Sequence, residues 1–118
     1  MKVKERGGNV KKDPNCADVF GGPSRNVSVM RDCSQCLTRT RCGQGGHFLV
    51  HKNRLMNLSE MQMLQGIPKD RLRTPAGVTE RQHAMAVGNA FTVTVFVRIL
   101  ARVLKCTGLR DVRDPFDM

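Results

Sequence analysis

The sequence predicts a mixed α/β chain, in which a small, irregular β-containing segment precedes about three helices. Two observations lead to this fold class. Residues 27–53 hold short possible strands at 27–30 and 47–50, separated by a glycine-rich stretch. From residue 54 onward, helix-capping residues and apolar side chains at helical spacing replace that pattern. The 118 residues suffice for one small domain or for part of a larger one.

Composition divides the chain into segments. Residues 1–26 are rich in Lys, Gly, Pro and Asn without periodicity, which predicts an irregular basic lead-in. Residues 27–53 are the β-containing segment, residues 54–108 the helical part, and residues 109–118 a tail. Five Phe, with neither Trp nor Tyr, provide few large side chains for a core. We therefore expect the chain to pack against something beyond itself.

The first predicted helix follows Asn57. Glu60 stands at the third helical position, which is the spacing of a capping box. Alternatively, Ser59 could cap the helix, with Gln62 at its third helical position. Gly66 ends the helix, and the Ile-Pro pair that follows prevents its continuation.

Two further helices complete the prediction. Thr79 caps the second helix, Gln82 occupies its third position, and Gly88 terminates it. The third helix covers residues 92–105 and stops at Gly108. Its apolar stripe consists of Val93, Phe96, Val97, Leu100 and Leu104.

The charge of the chain points to a polyanionic partner. Lys and Arg number 20 against 10 acidic residues, for a net charge of +10. Residues 1–54 hold 11 basic and 4 acidic groups, whereas residues 55–118 hold 9 and 6. Release of counterions favours nucleic acid as the partner of such a chain, and the first half is the part expected to face it.

The N-terminal sequence and the hydropathy of the chain bear on the cellular compartment. The charged N-terminal residues have no apolar run behind them, so we expect no secretory signal and an intracellular, reducing location. The most apolar stretch, 90–104, is too short to span a bilayer and contains Arg98 and Arg102. No membrane partner is expected.

One alternative interpretation is a zinc-dependent nucleic-acid-binding module. Cys33, Cys36, Cys42 and His47 supply three sulfurs and one imidazole, a set that suits tetrahedral zinc. In the common zinc knuckle, however, His precedes the last Cys, and short motifs match readily by chance. We therefore favour the absence of a metal and keep zinc as the alternative. His83 is expected on a helix surface.

Three stretches, taken in order, carry the preferred interpretation. The first is Leu-Thr-Arg-Thr-Arg at 37–41 with Gly-Gly-His-Phe-Leu-Val at 45–50. The second is Arg-Leu-Met-Asn-Leu-Ser-Glu at 54–60 with Leu-Gln-Gly-Ile-Pro at 64–68. The third is Val-Thr-Glu-Arg-Gln at 78–82 with Val-Gly-Asn-Ala at 87–90. Together they resemble the C-terminal end of cytosine-5 DNA methyltransferases, where a target-recognition domain precedes the family's last motifs and a final helix.

The resemblance implies a cofactor contact. In the family, the Gly-Asn-Ala/Ser element closes one side of the S-adenosyl-L-methionine pocket. Gly88, Asn89 and Ala90 match it, and the Asn89 amide offers both donors and an acceptor. Without a ligand, the same residues would be a glycine helix end followed by an Asn.

The resemblance also implies a set of DNA-contacting residues and a pair of structural residues. Arg in the recognition region can read guanine or hold phosphate, and phosphate is the commoner role. In the family, the Arg and Glu matched by Arg54 and Glu60 are structural: the Glu caps a helix and the Arg braces the two domains. Gln82 belongs to the matched structural elements. The DNA-contacting positions are Thr38, Arg39, Thr40, Arg41, Gly45 and Gly46.

The catalytic elements of the family are not in this sequence. No cysteine follows a proline, and no Glu-Asn-Val element is present, so no residue is expected to attack the cytosine. The resemblance implies an α/β methyltransferase fragment that needs a catalytic portion elsewhere, nuclear if eukaryotic and otherwise cytoplasmic. A tRNA-directed member of the family is the nearer alternative, because the recognition segment is short.

Overall fold

The computed structural model describes residues 12–21 and 27–108, which form a mixed α/β arrangement. A four-stranded antiparallel sheet precedes most of the helices, in agreement with the predicted class. The strands are β1 (Asn15–Asp18), β2 (Ser28–Arg31), β3 (His47–Leu49) and β4 (Arg54–Leu55). The helices are α1 (Arg39–Gln44), α2 (Leu58–Leu64), α3 (Glu80–Gly88) and α4 (Val93–Cys106).

Strand β1 corrects the prediction of an irregular lead-in over residues 1–26. It lies inside the sheet, whose order is β2-β1-β3-β4, and it pairs with β2 and β3. Cys16 and Ala17 are buried there, so a segment without strand-like periodicity is held by its neighbours on both sides. Positions 1–11 and 22–26 of the lead-in, and the tail 109–118, lie outside the described residues.

Helix α1 corrects the prediction of a glycine-rich loop between the strands of residues 27–53. The Thr38 side chain caps the helix by accepting a hydrogen bond from the Arg41 amide at 3.4 Å. Gly45 ends it in the left-handed region, at φ 68°, where its amide bonds back into the last turn. The two flanking strands, β2 and β3, fall close to their predicted positions.

The capping boxes predicted for the next two helices are confirmed. Asn57 and Glu60 exchange both hydrogen bonds at the start of α2, so the competing frame at Ser59 is wrong. Thr79 and Gln82 do the same at the start of α3. Strand β4 is an addition that the helical assignment of residues 54–108 did not include.

The core lies where the sheet meets α1, α2 and α3. Its buried hydrophobic cluster is small and contains no Phe, in keeping with the few aromatic residues of the sequence. His47, on β3, is the largest fully buried side chain of the described residues. The buried hydrophobic cluster consists of Cys16, Cys42, Leu49, Met56, Met61, Ala84 and Val87.

Helix α4 follows its prediction in extent but lies largely uncovered. Ala101 is its one buried residue, and large apolar side chains along it stand in solvent. Phe91, just before the helix, is 81% exposed and stacks on Phe96 with ring centroids 6.0 Å apart. The expectation that the chain packs against something beyond itself stays a prediction.

One stretch of the described residues, Glu80–Cys106, is long and apolar enough to cross a membrane by length and composition alone. The stretch is not one continuous helix, because α3 ends at Gly88 and α4 begins at Val93. With 9 and 14 residues, neither helix alone reaches the roughly 20 residues that a bilayer core requires. Length and composition are therefore weak evidence for a membrane span here.

Candidate nucleic-acid and cofactor site

A glycine in each helix lets α1 and α3 pack closely. A Cβ built on Gly88 would lie 2.5 Å from the Thr38 carbonyl oxygen, which is backbone and cannot yield. A Cβ on Gly43 would lie 2.3 Å from the Met85 side chain. The crossing therefore joins the predicted DNA-contacting segment to the predicted cofactor-contacting segment. Gly88 therefore has a packing role, because the Thr38 backbone occupies the space that a side chain at position 88 would need.

The DNA-contacting positions occupy different environments. Arg39 is exposed at the start of α1, whereas Arg41 is half-buried and forms a 2.9 Å ion pair with Asp18 on β1. Thr40 is exposed, and Thr38 is engaged as the helix cap. Gly46 is buried. Among these positions, Arg39 and Thr40 are the side chains left available to a nucleic acid.

Asn89 and Ala90 are exposed at the end of α3. The Asn89 amide N–H donates to the carbonyls of Met85 and Ala86, while its side chain makes no hydrogen bond with the described residues. Ala90 lines an open cleft of about 560 Å³. The opposite wall of the cleft is the loop 32–37, and Leu64, Gln65, Phe91 and Thr92 complete it.

Gln65 holds the predicted cofactor segment in place, a role that the sequence analysis did not identify. This buried side chain donates to the Val87 carbonyl at 3.0 Å and to the Ala90 carbonyl at 3.3 Å. Its own carbonyl group accepts the Thr92 hydroxyl at 2.8 Å. The Val93 amide bonds to the Gln65 backbone at 2.8 Å. The only sequence signal was the position of Gln65 inside the Leu-Gln-Gly-Ile-Pro turn.

Glu60 is the centre of a charged cluster at the start of α2. Arg54 donates to both of its carboxylate oxygens, at 2.7 and 2.8 Å, and Lys52 donates at 2.7 Å. These hydrogen bonds, that from Arg54 above all, lower the pKa of Glu60 to about 2. The pairing likewise raises the pKa of Arg54. The cluster joins β4 to α2, and the Arg54 and Glu60 charges are engaged with each other rather than with a ligand.

His83 is buried, so its expected surface position is wrong. Its ring nitrogens face the Thr74 hydroxyl at 2.9 Å and the Gln62 side-chain amide at 3.3 Å. The Gln62 amide also donates to the Leu72 carbonyl. These contacts tie the long loop between α2 and α3 to both helices, which is a structural role.

The possible zinc ligands do not form a site. Cys33 and Cys36 are exposed, whereas Cys42 and His47 are buried. Over residues 12–21 and 27–108, no three His, Cys, Asp or Glu side chains converge in a way that could hold a metal ion. Burial raises the pKa of the Cys42 thiol, which disfavours the thiolate that zinc requires.

His47 is fully buried within the sheet. Burial lowers the pKa of this imidazole, and the nearby backbone of Cys36 offsets part of that effect. Neither ring nitrogen makes a well-formed hydrogen bond within the described chain. Asp18 and Arg41 are the charged groups that act on it. The environment therefore holds a neutral histidine in the core.

No protein-family model, curated protein or solved structure matches this chain. The fold by itself establishes a mixed α/β arrangement with a small antiparallel sheet. Function therefore has to be argued from the motif series and from the contacts around Arg39, Asn89 and Ala90.

Proposed function

We propose that this chain is the C-terminal part of an S-adenosyl-L-methionine-dependent DNA cytosine-5 methyltransferase. It would supply target recognition and one side of the cofactor pocket. The observation that carries the proposal is the position of Asn89 and Ala90. Both are exposed where α3 ends, Ala90 lines an open cleft, and the largely uncovered helix α4 follows. In the family that the sequence resembles, the matching element meets the catalytic portion at this point.

The contacts around this segment fit such a role. Gln65 holds the backbone of residues 87–93, so Asn89 is presented from a fixed turn. Its unengaged side-chain amide can donate to the carboxylate and accept from the amino group of a methionine-like moiety. Ala90 leaves room for a ligand because its side chain is a single methyl group.

The partner in this proposal is a catalytic portion that brings the nucleophilic cysteine. Methylation requires a thiolate that adds to C6 of a flipped cytosine before C5 attacks the methyl group. The buried thiols Cys16 and Cys42 have raised pKa values, which makes them poor nucleophiles. The apolar stripe of α4 offers a surface on which the catalytic portion can pack. The chain alone is then inactive.

DNA is the proposed substrate and Arg39 the proposed phosphate contact. Arg39 is exposed at the start of α1, and its backbone lies beside Gly88, the first residue of the proposed cofactor segment. A tRNA substrate is the second candidate, favoured by the size of the recognition unit. In the part of the unit that the structure describes, the strands are short and helix α1 has six residues.

Complementation tests the proposal directly. The chain is mixed with a separately expressed catalytic portion of a family member, and transfer of labelled methyl groups to DNA and to tRNA is measured. We expect activity from the mixture and none from the chain alone. Asn89→Ala should raise the cofactor KM, whereas Gln44→Ala, which removes an exposed side-chain amide at the end of α1, serves as the matched control. Absence of both binding and activity in the mixture would contradict the proposal.

A further inference from the structure

The loop between α2 and α3 carries a compact cluster of basic side chains. Lys69, Arg71 and Arg73 fall within five positions, and they supply three of the nine basic groups of residues 55–118. All three are exposed, and within the described part of the chain their side chains form neither hydrogen bonds nor ion pairs. We propose that this cationic turn, residues 68–73, binds the phosphate backbone of a nucleic acid.

A β-turn sets the backbone positions of two of these cations. The Arg71 amide donates to the Pro68 carbonyl at 3.1 Å and closes the turn. Asp70, at the third position, has a left-handed φ of 61°, which Asp adopts more readily than most residues with a side chain. Proline restricts the backbone where the turn begins. Lys69 and Arg71 therefore project from a defined turn rather than from an irregular segment.

The chain that follows the turn is fixed to both neighbouring helices. The Leu72 carbonyl accepts a hydrogen bond of 3.0 Å from the side chain of Gln62, which is buried on α2. Two residues later, the Thr74 hydroxyl bonds to the His83 ring on α3 at 2.9 Å. Arg73 lies between these two anchors. Cations on a fixed backbone lose less conformational freedom when they bind an anion, which favours binding.

Two carboxylates decide which side of the turn can take a phosphate. Asp70 and Glu80 line a cleft of about 400 Å³ beside the turn. Of the three cations, all within the described residues, Arg73 alone lines this cleft. One guanidinium against two carboxylates makes the cleft a poor anion site. The phosphate contact is therefore expected outside the cleft, at Lys69 and Arg71.

The composition of the turn fits a phosphate backbone better than a protein or a membrane surface. Arg can hold two phosphate oxygens through its planar guanidinium, and Lys binds phosphate as a point charge. Protein interfaces are centred on large buried side chains, and membrane-surface segments insert an apolar face into lipid. Leu72, 48% exposed, is the single large apolar residue of positions 68–73. The net charge of +10 draws a polyanion toward the whole chain.

This contact does not require the proposed methyltransferase function. Methyl transfer by the mixture with a catalytic portion decides that function, whereas nucleic-acid affinity of the chain alone decides the role of the turn. Arg39 is left unchanged in every variant of the turn, so its own phosphate contact is not disturbed. Either proposal can therefore fail while the other stands.

Fluorescence anisotropy of the full chain with a short labelled duplex measures the contact. Lys69→Gln combined with Arg71→Gln removes two positive charges and leaves the turn backbone unchanged. Each lost phosphate contact lowers the salt slope by about 0.9, which equals about eightfold in affinity over a tenfold range of salt. We expect the double variant to bind about 30-fold more weakly near 100 mM salt, with a slope reduced by about 2.

A matched double variant separates this contact from a general loss of charge. Arg102→Gln combined with Lys105→Gln removes one Arg and one Lys from the exposed end of α4. It should weaken binding by less than about threefold, because distant charges are screened. Circular dichroism checks that both double variants are folded. Equal losses in the two would overturn the proposal, and so would unchanged affinity of the variant at Lys69 and Arg71.

Asp70→Asn tests the sign of the effect with a variant that gains affinity. Asn also adopts the left-handed region readily, and the substitution removes the carboxylate between Lys69 and Arg71. Duplex affinity should rise by about threefold near 100 mM salt, a gain that misfolding cannot produce. Unchanged or lower affinity in the folded variant would contradict the phosphate contact. Binding to phosphatidylserine vesicles in preference to the duplex, lost in the variant at Lys69 and Arg71, would overturn it in favour of a membrane surface.

Discussion

Gly88 and Thr38 are in backbone contact, since a Cβ at Gly88 would come within 2.5 Å of the Thr38 carbonyl oxygen. Two helices from different parts of the chain therefore meet without an intervening side chain. Gly43 repeats the arrangement against Met85, but there the neighbour is a flexible side chain that can move. The close approach depends on Gly88 more than on Gly43.

Gly88→Ala should destabilise the fold. Alanine gains about 1 kcal/mol of helix propensity over glycine, but the clash with rigid backbone forces α1 and α3 apart. We expect a net loss of about 2 kcal/mol in the free energy of unfolding, measured by urea denaturation. Asn89→Ala, one residue later and exposed, should change stability by less than about 0.5 kcal/mol. Equal stability of Gly88→Ala and the unmodified chain would refute the packing role.

Substitutions at Glu60 should separate its charge from its capping function. Glu60→Gln can keep the capping-box hydrogen bond but loses the ion pairs with Arg54 and Lys52, which are partly exposed and therefore screened. We expect a loss of about 1 kcal/mol for Glu60→Gln and about 2 kcal/mol for Glu60→Ala, which removes the cap as well. Thermal denaturation in low and high salt measures both. If both variants lost the same stability, the capping hydrogen bond of Glu60 would contribute nothing to the free energy of unfolding.

The pKa of Glu60 also predicts an acid transition. The folded pKa is about 2, below the ordinary value of 4.5, so the unfolded state binds the proton first as the pH falls. The stability that Glu60 contributes is fully present above about pH 4.5 and is lost between there and pH 2. Glu60→Gln should remove this part of the pH dependence. Parallel stability curves for the variant and the unmodified chain below pH 4.5 would contradict it.

Local signals in the sequence were sufficient to predict α2 and α3. Asn57 with Glu60, and Thr79 with Gln82, make contacts over three residues, and such contacts form wherever the chain turns into a helix. Gly108, with φ 67°, ends the described part of α4 in the same local way. These features need no knowledge of distant residues.

Strand β1 and helix α1 were missed because distant residues determine them. Cys16 pairs with Met30 on one side and with Leu49 on the other, so its strand exists through partners far along the chain. Helix α1 contains Gly43 and a β-branched Thr40, which are poor helix formers. Its packing against α3 outweighs that propensity, and the same glycine that argued for a loop makes the packing possible.

The site residues that the sequence suggested lie in different environments, and their roles are untested. The exposure of Asn89, Ala90 and Arg39 is compatible with the roles that the motif resemblance assigned to them, which stay predictions. Arg41 looked equivalent to Arg39 in the sequence, but its ion pair with Asp18 on β1 depends on the unpredicted strand. Gln65 could not be assigned because its partners, the carbonyls of Val87 and Ala90, lie more than 20 residues away.

His47 should make the fold sensitive to mild acid. Its pKa is lowered by burial, so the unfolded state binds a proton more readily as the pH falls below about 6.5. Stability should decrease from neutral pH toward pH 5, with a slope of up to about 1.4 kcal/mol per pH unit. His47→Leu keeps the buried position apolar and should flatten this part of the curve. Urea denaturation at several pH values provides the measurement, and an unchanged slope in the variant would contradict the prediction.

Arg39 and Arg41 should have separable effects on nucleic-acid binding. Arg39→Ala removes an exposed charge and should lower DNA affinity and reduce the salt slope by about 1, with the fold unchanged. Arg41→Ala leaves Asp18 without its partner and should cost about 1–2 kcal/mol of stability, with a smaller direct effect on binding.

Fluorescence anisotropy with a labelled duplex, between about 50 and 200 mM salt, measures the slope. Stability of each variant is measured in parallel, and binding is compared at a temperature where all are folded. Lys12→Ala, an exposed charge next to β1, is the control for a general loss of positive charge. If Lys12→Ala and Arg39→Ala lower affinity equally, the contact is an unspecific basic surface. If Arg41→Ala abolishes binding while the chain stays folded, the ion pair with Asp18 opens in the complex and Arg41 reaches the phosphate.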